Sequence, residues 1–124
     1  MALNDEDVAR AFSSHDFEAA YPHLADDISW NPVGAPLLEG KEAVKSACQD
    51  SAGYLANVET NFHSFRVITS EDAVVVDTVA DYTDPDRTVS RVASCDIYRF
   101  VDGKVAEITS YNIELSDPQA NASA

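Results

Sequence analysis

The stretch that decides the fold is CDIYRFVDGKVAEI, residues 95–108. Two segments rich in β-forming residues flank the dipeptide Asp102-Gly103, and an Asp-Gly pair in that setting strongly indicates a two-residue hairpin turn. We therefore expect two antiparallel neighbouring strands, one over residues 88–101 and the other over residues 104–115.

The segments before this hairpin complete an α+β pattern. Residues 58–69 and 73–82 are also rich in β-forming residues, and a polar turn separates them. Upstream, apolar residues recur with helical spacing in three segments: residues 5–12, 17–24 and 41–55. Helices followed by strands predict an α+β domain in which three N-terminal helices pack on one strongly bent, mainly antiparallel sheet.

The chain has the length of one domain, at 124 residues. No linker, repeat or low-complexity block divides it before a short run of small and polar residues at its end. We therefore expect a single domain over residues 1–115 and a disordered tail over residues 116–124.

The charge of the chain excludes several classes of partner. With 22 acidic and 8 basic side chains the net charge is −14, which repels nucleic acid and anionic membranes. No segment approaches the roughly 20 apolar residues of a membrane span, and the acidic N-terminus does not resemble a signal peptide, so we expect a cytoplasmic protein. The histidines have no close-spaced metal-ligand pair and no glycine-rich phosphate loop occurs, so neither a metal nor a cofactor is expected.

Four short motifs, in their order and spacing, resemble the nuclear transport factor 2-like superfamily. They are Asp16-Phe17 between two helices, residues 24–27 before a short strand, residues 38–40 before the third helix, and residues 97–105 before the last strand. The resemblance is closest to SnoaL-like proteins and ketosteroid isomerases. It implies a cone-shaped roll whose helices and bent sheet enclose an apolar pocket. That fold hosts isomerases, cyclases, dehydratases and non-catalytic members, so it does not by itself give the function.

Asp96 is the most informative single residue, because a carboxyl group in the middle of a strand needs a reason to be there. Ketosteroid isomerases carry at this position an aspartic acid that donates a hydrogen bond to the substrate oxyanion. An apolar site keeps such an acid neutral and able to donate. Alternation along the strand places Tyr98 on the same face as Asp96. The alternative is that Asp96 pairs with an arginine or is solvated on the outer face.

The rest of that isomerase site is absent from this sequence. The isomerases have their catalytic base, an aspartate, directly before Pro-Val-Gly, where this chain has Asn31, and their helix tyrosine aligns with Val8. An amide does not take a proton from carbon at neutral pH, so steroid isomerisation is not expected and Asn31 is a candidate substrate contact only. The aspartate of related epoxide hydrolases aligns with Ser110.

Five further residues are candidates for the pocket. His63 is the remaining candidate base, because the pKa of an imidazole lies near neutrality. Ser110 and Asn112 are expected to face the pocket and hold a ligand, or else to be ordinary hydrogen-bonded strand residues. Trp30 and Tyr82 are candidates for its walls, or alternatively for the core.

Two hypotheses of different class remain for the function. The first is a cofactor-free isomerase, cyclase or dehydratase acting on a small apolar carbonyl or polyketide-like compound. In it Asp96 donates to the developing oxyanion, and His63 or another group moves the proton. The second is a non-catalytic ligand-binding or assembly module of the same fold.

The outer face of the predicted sheet carries many apolar residues. Val75 and Val79 alternate with the inward-facing residues of their strand, and Tyr111 and Ile113 do the same on the last strand. A face in contact with water would not carry this many apolar groups, so we expect a homodimer formed through it.

Overall fold

The predicted fold class is confirmed by a computed structural model, which describes residues 3–115. Within that range there are three helices: α1 (Asp5–Ser13), α2 (Phe17–Ala20) and α3 (Lys41–Leu55). The strands are β1 (Leu24–Pro32), β2 (Leu38–Glu39), β3 (Glu59–Thr69), β4 (Ala73–Thr83), β5 (Val89–Val101) and β6 (Lys104–Leu115). They form one sheet in the order β2-β1-β6-β5-β4-β3, in which only the β1–β6 pair is parallel. The tail predicted over residues 116–124 lies outside the described residues.

The β5–β6 hairpin forms at the dipeptide that predicted it. Val101 pairs with Lys104, and the two residues between them have positive φ angles, 52° at Asp102 and 77° at Gly103. A two-residue turn of this kind needs positive φ at both positions, which aspartate and glycine tolerate better than other residues. The turn, together with a one-residue register shift between Arg99 and Phe100, sets the pairing of the two longest strands and thereby aligns their inward-facing residues.

The second helical segment ends earlier than its apolar spacing predicts. α2 stops at Ala20, and a single 3-10 turn over Tyr21–His23 follows, because Pro22 has no N–H to continue the helix. The predicted helix end at Leu24 is therefore wrong, since this residue begins β1. The longer β1 runs parallel to β6 and places Trp30 beside it.

The core lies between the helices and the inner face of the sheet. Phe12 of α1, Cys48 of α3, Tyr98 of β5 and Ile108 of β6 are each at most 4% exposed. Along β5 the inward-facing residues continue from Tyr98 to Asp96, where the packed core gives way to a cavity. No helix within residues 3–115 is long and apolar enough to cross a membrane.

Candidate functional site

A cavity of about 190 Å³ lies between the helices and the inner face of the sheet. One side is aromatic, with Phe12, Phe17 and Trp30 in edge-to-face contact at centroid distances of 5.2 Å from Phe12 to each of the other two. Such contacts hold the rings in fixed positions, so the aromatic side is a rigid apolar wall.

Next to this wall, the cavity is lined by a polar patch made of Ser94, Asp96, Ser110 and Asn112. The register of the hairpin builds it, because Asp96 lies directly opposite Ser110 and Ser94 lies directly opposite Asn112. Directly opposed side chains on one face of an antiparallel pair are about 5 Å apart at Cβ. The polar patch is therefore a compact group of four side chains that adjoins the aromatic wall at Trp30.

Hydrogen bonds within the cavity leave two donors unused. Trp30 Nε1 donates to Ser110 Oγ at 2.9 Å, and Ser94 Oγ donates to Asn112 Oδ1 at 2.7 Å. Because both oxygen atoms are already acceptors, the Ser110 hydroxyl proton and the Asn112 amide protons remain available to a bound molecule. The two donors belong to residues on the same face of β6, and both residues line the cavity, Ser110 as a buried and Asn112 as an exposed side chain.

One of the two carboxylate oxygen atoms of Asp96 accepts a hydrogen bond. Ser13 Oγ donates to Asp96 Oδ2 at 2.8 Å, and Ser13 Oγ also lies 2.5 Å from the Tyr98 hydroxyl. A hydroxyl has one proton, so Tyr98 is the donor in the second bond and the chain runs from Tyr98 through Ser13 to Asp96. Burial, followed by the charge of Asp96, raises the pKa of Tyr98 well above its usual range. Within residues 3–115 only Oδ2 of Asp96 has a hydrogen-bond partner, so Oδ1 is open to the cavity.

His15 is a cavity residue that the sequence interpretation missed. It lies in the connection between α1 and α2, with φ 75°, and its Nε2 is 3.5 Å from the Tyr82 hydroxyl. Burial lowers the pKa of the imidazole, and the nearby charge of Asp96 opposes that shift. In the sequence this segment appears only as an interruption between two amphipathic helices. The one clue in the sequence was that a histidine follows the end of the first helix, at a position where glycine is usual.

Most of the sequence-predicted site residues lie in or next to this cavity. Its lining includes Asp96, Trp30, Tyr82, Ser110 and Asn112. Tyr98 lies beneath the cavity, fully buried, and contacts it through Ser13.

His63 lies elsewhere, which corrects its expected place beside Asp96. It is the bulged residue of β3, between Phe62 and Ser64, and its Nε2 is 2.8 Å from Asp81 Oδ2 and 2.9 Å from Arg91 Nη2. Of the adjacent pair, Phe62 takes the inward position. Arg91, and to a smaller extent His63, hold the pKa of Asp81 below its usual range. The structure therefore gives His63 a place in an ion-pair cluster and not in the cavity.

Asn31 is also outside the cavity. Its neighbour Trp30 faces inward, and because successive side chains of a strand point to opposite faces, Asn31 points away and is exposed. The expected contact between Asn31 and a substrate in this cavity is therefore not available in the structure.

No group of three or more His, Cys, Asp or Glu residues in the described part of the chain is arranged to hold a metal ion. Cys48 is fully buried, and burial raises the pKa of its thiol to about 12, which keeps it in the unreactive protonated form. The expectation that the protein uses neither a metal nor a cofactor stays a prediction.

Three helices against a six-stranded mixed sheet, with a cavity between the two layers, define an NTF2-like fold. Residues 6–108 match the family described as SnoaL-like domain, and the chain therefore belongs to the SnoaL-like domain family. No curated protein matches the chain.

Solved structures agree with this assignment. An NTF2-like protein of unknown function from Cytophaga hutchinsonii ATCC 33406 is 33% identical, with a TM-score of 0.76 over 86% of this chain and 93% of the other. An LEH-like epoxide hydrolase from M. tuberculosis is 19% identical, with a TM-score of 0.62 over 84% and 75% of the two chains. SalBIII, an epoxide hydrolase/cyclase-like enzyme of pyran ring formation in the polyether salinomycin, is 19% identical, with a TM-score of 0.63 over 86% and 84%. At 19% identity the likeness shows the fold alone.

Proposed function

We propose that this protein is a cofactor-free enzyme that binds a small, mainly apolar carbonyl compound and moves a proton on a carbon atom near the carbonyl group. Proton transfer at such a carbon is a step common to isomerases, cyclases and dehydratases of carbonyl compounds. The observation that carries the proposal is Asp96, whose Oδ1 is open to a cavity that also contains unused donors and an aromatic wall. Membership of the SnoaL-like domain family supports a small-molecule ligand.

The Ser110 hydroxyl and the Asn112 amide would hold the carbonyl oxygen. Trp30 and Ser94 fix the orientation of these two donors before any ligand arrives. Negative charge develops on the carbonyl oxygen as the neighbouring carbon loses its proton, and donors oriented in advance stabilise that charge without further reorganisation. One such donor is worth about 10²–10³ in kcat.

Asp96 would take the proton and return it. Ser13 holds Oδ2, so Oδ1 accepts the proton while the C–H electron pair becomes part of the enolate. The acid formed in this step then donates the proton to another carbon. This role differs from the one implied by the resemblance, in which a neutral Asp96 donates a hydrogen bond to the oxyanion. These steps use only side chains of this chain.

The size of the cavity sets the size of the ligand. A protein cavity of about 150 Å³ holds benzene, whereas pockets for drug-sized molecules measure roughly 300–1,000 Å³. At about 190 Å³, this cavity matches a single six-membered ring, and shared lining residues such as Tyr82 and Ser94 connect it to an outer groove. We therefore choose cyclohexenones as probes.

The test is conversion of 3-cyclohexen-1-one into its conjugated isomer 2-cyclohexen-1-one, followed by ultraviolet absorbance. We expect turnover by the wild-type protein, a loss of about 10²–10⁴ in kcat for Asp96→Asn, and a loss of about 10² for Ser110→Ala. Asn112→Ala should also slow the reaction, and Asn31→Ala outside the cavity is its matched control. Binding of the ketone without turnover would favour the alternative, a ligand-binding module. Absence of binding would refute both functions for this probe class.

For a protein partner, the proposal is a second copy of the chain, bound through the outer face of the sheet. Ile97, Tyr111 and Ile113 on this face are 37%, 47% and 64% exposed. Charged residues near them form pairs within the chain, Arg66 with Asp77 and Arg99 with Glu107, so part of the charge on this face is balanced although the chain carries −14. An apolar face of this kind fits an identical face on a second copy. We also expect the protein to lie in the cytoplasm and to bind neither nucleic acid nor anionic membranes.

A further inference from the structure

We propose that His15 carries protons between Asp96 and solvent, so that a proton taken up in the cavity exchanges with water through the imidazole ring. The inference rests on the proposed function, because it supplies a route for the proton that Asp96 accepts. It assigns a task to a residue that neither the sequence motifs nor the polar patch includes.

The position of His15 supports this task. It lines the cavity together with Asp96, and it also lines an outer groove between α3 and the sheet and a second groove beside α2. The imidazole therefore faces both the enclosed site and two surfaces that open to solvent. Tyr82 shares the cavity and the first groove, and its hydroxyl lies 3.5 Å from His15 Nε2.

The backbone at His15 ends the first helix. Asp16 N–H donates to Ala11 O at 2.8 Å and His15 N–H donates to Phe12 O at 3.1 Å, which together form a Schellman helix ending. His15 occupies the left-handed position of that ending, with φ 75°, where glycine is favoured because it has no Cβ and histidine is tolerated. Arg87 also has a left-handed backbone outside the cavity, so this conformation assigns no task by itself; it fixes the place of His15 in the lining of the cavity.

The direction of the pKa shift of His15 is suited to a proton relay between Asp96 and solvent. Burial lowers the pKa of His15 and the charge of Asp96 opposes the change, so the imidazole is neutral at neutral pH and can accept a proton. Other ionisable groups line the cavity and the two grooves that His15 also lines. They are Tyr82 and Asp96 of the sheet, Glu114 of β6, Asp50 and Tyr54 of α3, and Asp16, Glu18 and Tyr21 around α2. Several of these are carboxylates in the grooves, which can pass the proton on to water.

The step balances as a plain proton transfer. After the carbon–hydrogen bond breaks, the proton is on Asp96 Oδ1 and the electron pair is in the enolate. The proton then has two routes, either back to the far carbon of the same molecule or to the His15 imidazole and from the imidazolium to water. A solvent deuteron enters by the second route in reverse, and no oxidant or reductant is involved.

The experiment is the conversion of 3-cyclohexen-1-one in deuterated water, with the deuterium at the far carbon of the product measured by NMR. Wild-type protein should give product that carries solvent deuterium. In His15→Asn, asparagine tolerates the left-handed backbone but cannot relay the proton. We expect deuterium per product molecule to fall about tenfold, with a smaller change in kcat, because Asp96 still returns its own proton.

A second variant separates the relay from folding. His15→Gly suits the left-handed position, and we expect its Tm to stay within about 4 °C of the wild type. Free imidazole added to His15→Gly should restore deuterium incorporation, which a purely structural role would not do. The matched control is Arg87→Gly, at another left-handed position (φ 71°) outside the cavity, and it should leave deuterium incorporation unchanged.

The outcomes separate the two proposals. If wild-type protein forms product and His15→Asn gives the same deuterium content, the relay is overturned while the proposed function stands. Failure of imidazole to restore incorporation in His15→Gly also overturns the relay. If wild-type protein forms no product, the proposed function falls and the relay falls with it.

Discussion

At the scale of single residues, the polar part of the cavity depends on Ser13. Its hydroxyl accepts from Tyr98 and donates to Asp96, and within residues 3–115 it is the only hydrogen-bond partner of the buried phenol hydroxyl. Tyr98 is fully buried and Ser13 is 7% exposed, so water is a poor substitute for either partner. Ser13 thereby couples the stability of the core to the orientation of Asp96.

Ser13→Ala should lower the free energy of unfolding by about 2 kcal/mol, because it leaves the Tyr98 hydroxyl buried without an acceptor. Adding Tyr98→Phe removes that unsatisfied group, so the double variant should be less destabilised than the sum of the two single variants. Urea denaturation of the four proteins measures the coupling. Additive effects of the two changes would contradict the hydrogen-bond chain.

His15 should make the stability depend on pH below neutrality. Because burial holds its pKa below the ordinary value of 6.5, the unfolded chain binds this proton at a higher pH than the native protein does. Unfolding therefore becomes easier as the pH falls from about 7.5 to about 5.5, and the contribution is lost progressively through that window. His15→Asn should flatten the slope in denaturation experiments across this range. An equal slope in the variant would show that the ring is not protected from protonation.

Which residues of one strand share a face could be predicted from the sequence, but which face turns inward and which histidine matters could not. Alternation is a local rule that places Ser110 and Asn112 together, whereas the inward place of Asp96 was implied only by the family resemblance, and its pairing with Ser110 depends on a register shift near the turn. His63 and His15 depend on features that local rules do not contain, namely a β-bulge and a left-handed helix ending. Both features follow from how segments distant in sequence pack together.

At the scale of elements, the β5–β6 hairpin aligns the polar patch. Its turn places Gly103 at φ 77°, and a Cβ there would have no atom within 4 Å. The cost of a side chain at this position is therefore conformational and not steric. Gly53, in the exposed interior of α3, has equally open surroundings without the positive φ.

Substitution by alanine should change the free energy of unfolding in opposite directions at the two glycines. Gly103→Ala should lower the free energy of unfolding by about 1 kcal/mol, because alanine is strained at positive φ. Gly53→Ala should raise it by about 1 kcal/mol, because alanine is the better helix former. Thermal and urea denaturation check both. The same sign for the two variants would contradict the conformational account of the hairpin.

The elements themselves were largely predictable, and the failures have physical causes. The four long strands and α3 have strong periodicity and turn residues at their ends, so their predicted and observed limits differ by at most a few residues. The short strand expected after residues 24–27 is longer in the structure and includes those residues, because its pairing with β6 is parallel and joins opposite ends of the chain. β2 is a two-residue strand that leaves no pattern in the sequence.

At the scale of the whole molecule, the two faces of the sheet have different tasks in this account. The inner face carries the core and the cavity, while the outer face exposes apolar residues between internally paired charges. A homodimer through the outer face would leave the cavity of each copy accessible.

Ile113→Glu should convert a dimer into a monomer, because it places two unpaired carboxylates in the proposed interface. Light scattering coupled to size exclusion, at micromolar protein, measures the mass of both proteins. The matched control is Ile68→Glu on the edge strand β3, which is also exposed but lies toward the margin of the sheet. A wild-type monomer at this concentration would contradict the homodimer.

The central claim, that the polar patch binds a carbonyl group, is tested most directly by a crystal structure of the protein soaked with cyclohexanone. The account predicts one molecule in the cavity, with its oxygen within hydrogen-bond distance of Ser110 Oγ and Asn112 Nδ2. The carbon next to the carbonyl should then face Asp96 Oδ1, and the ring should lie against Trp30. A cavity that stays empty, or a ketone bound with its oxygen toward the aromatic wall, would contradict the claim.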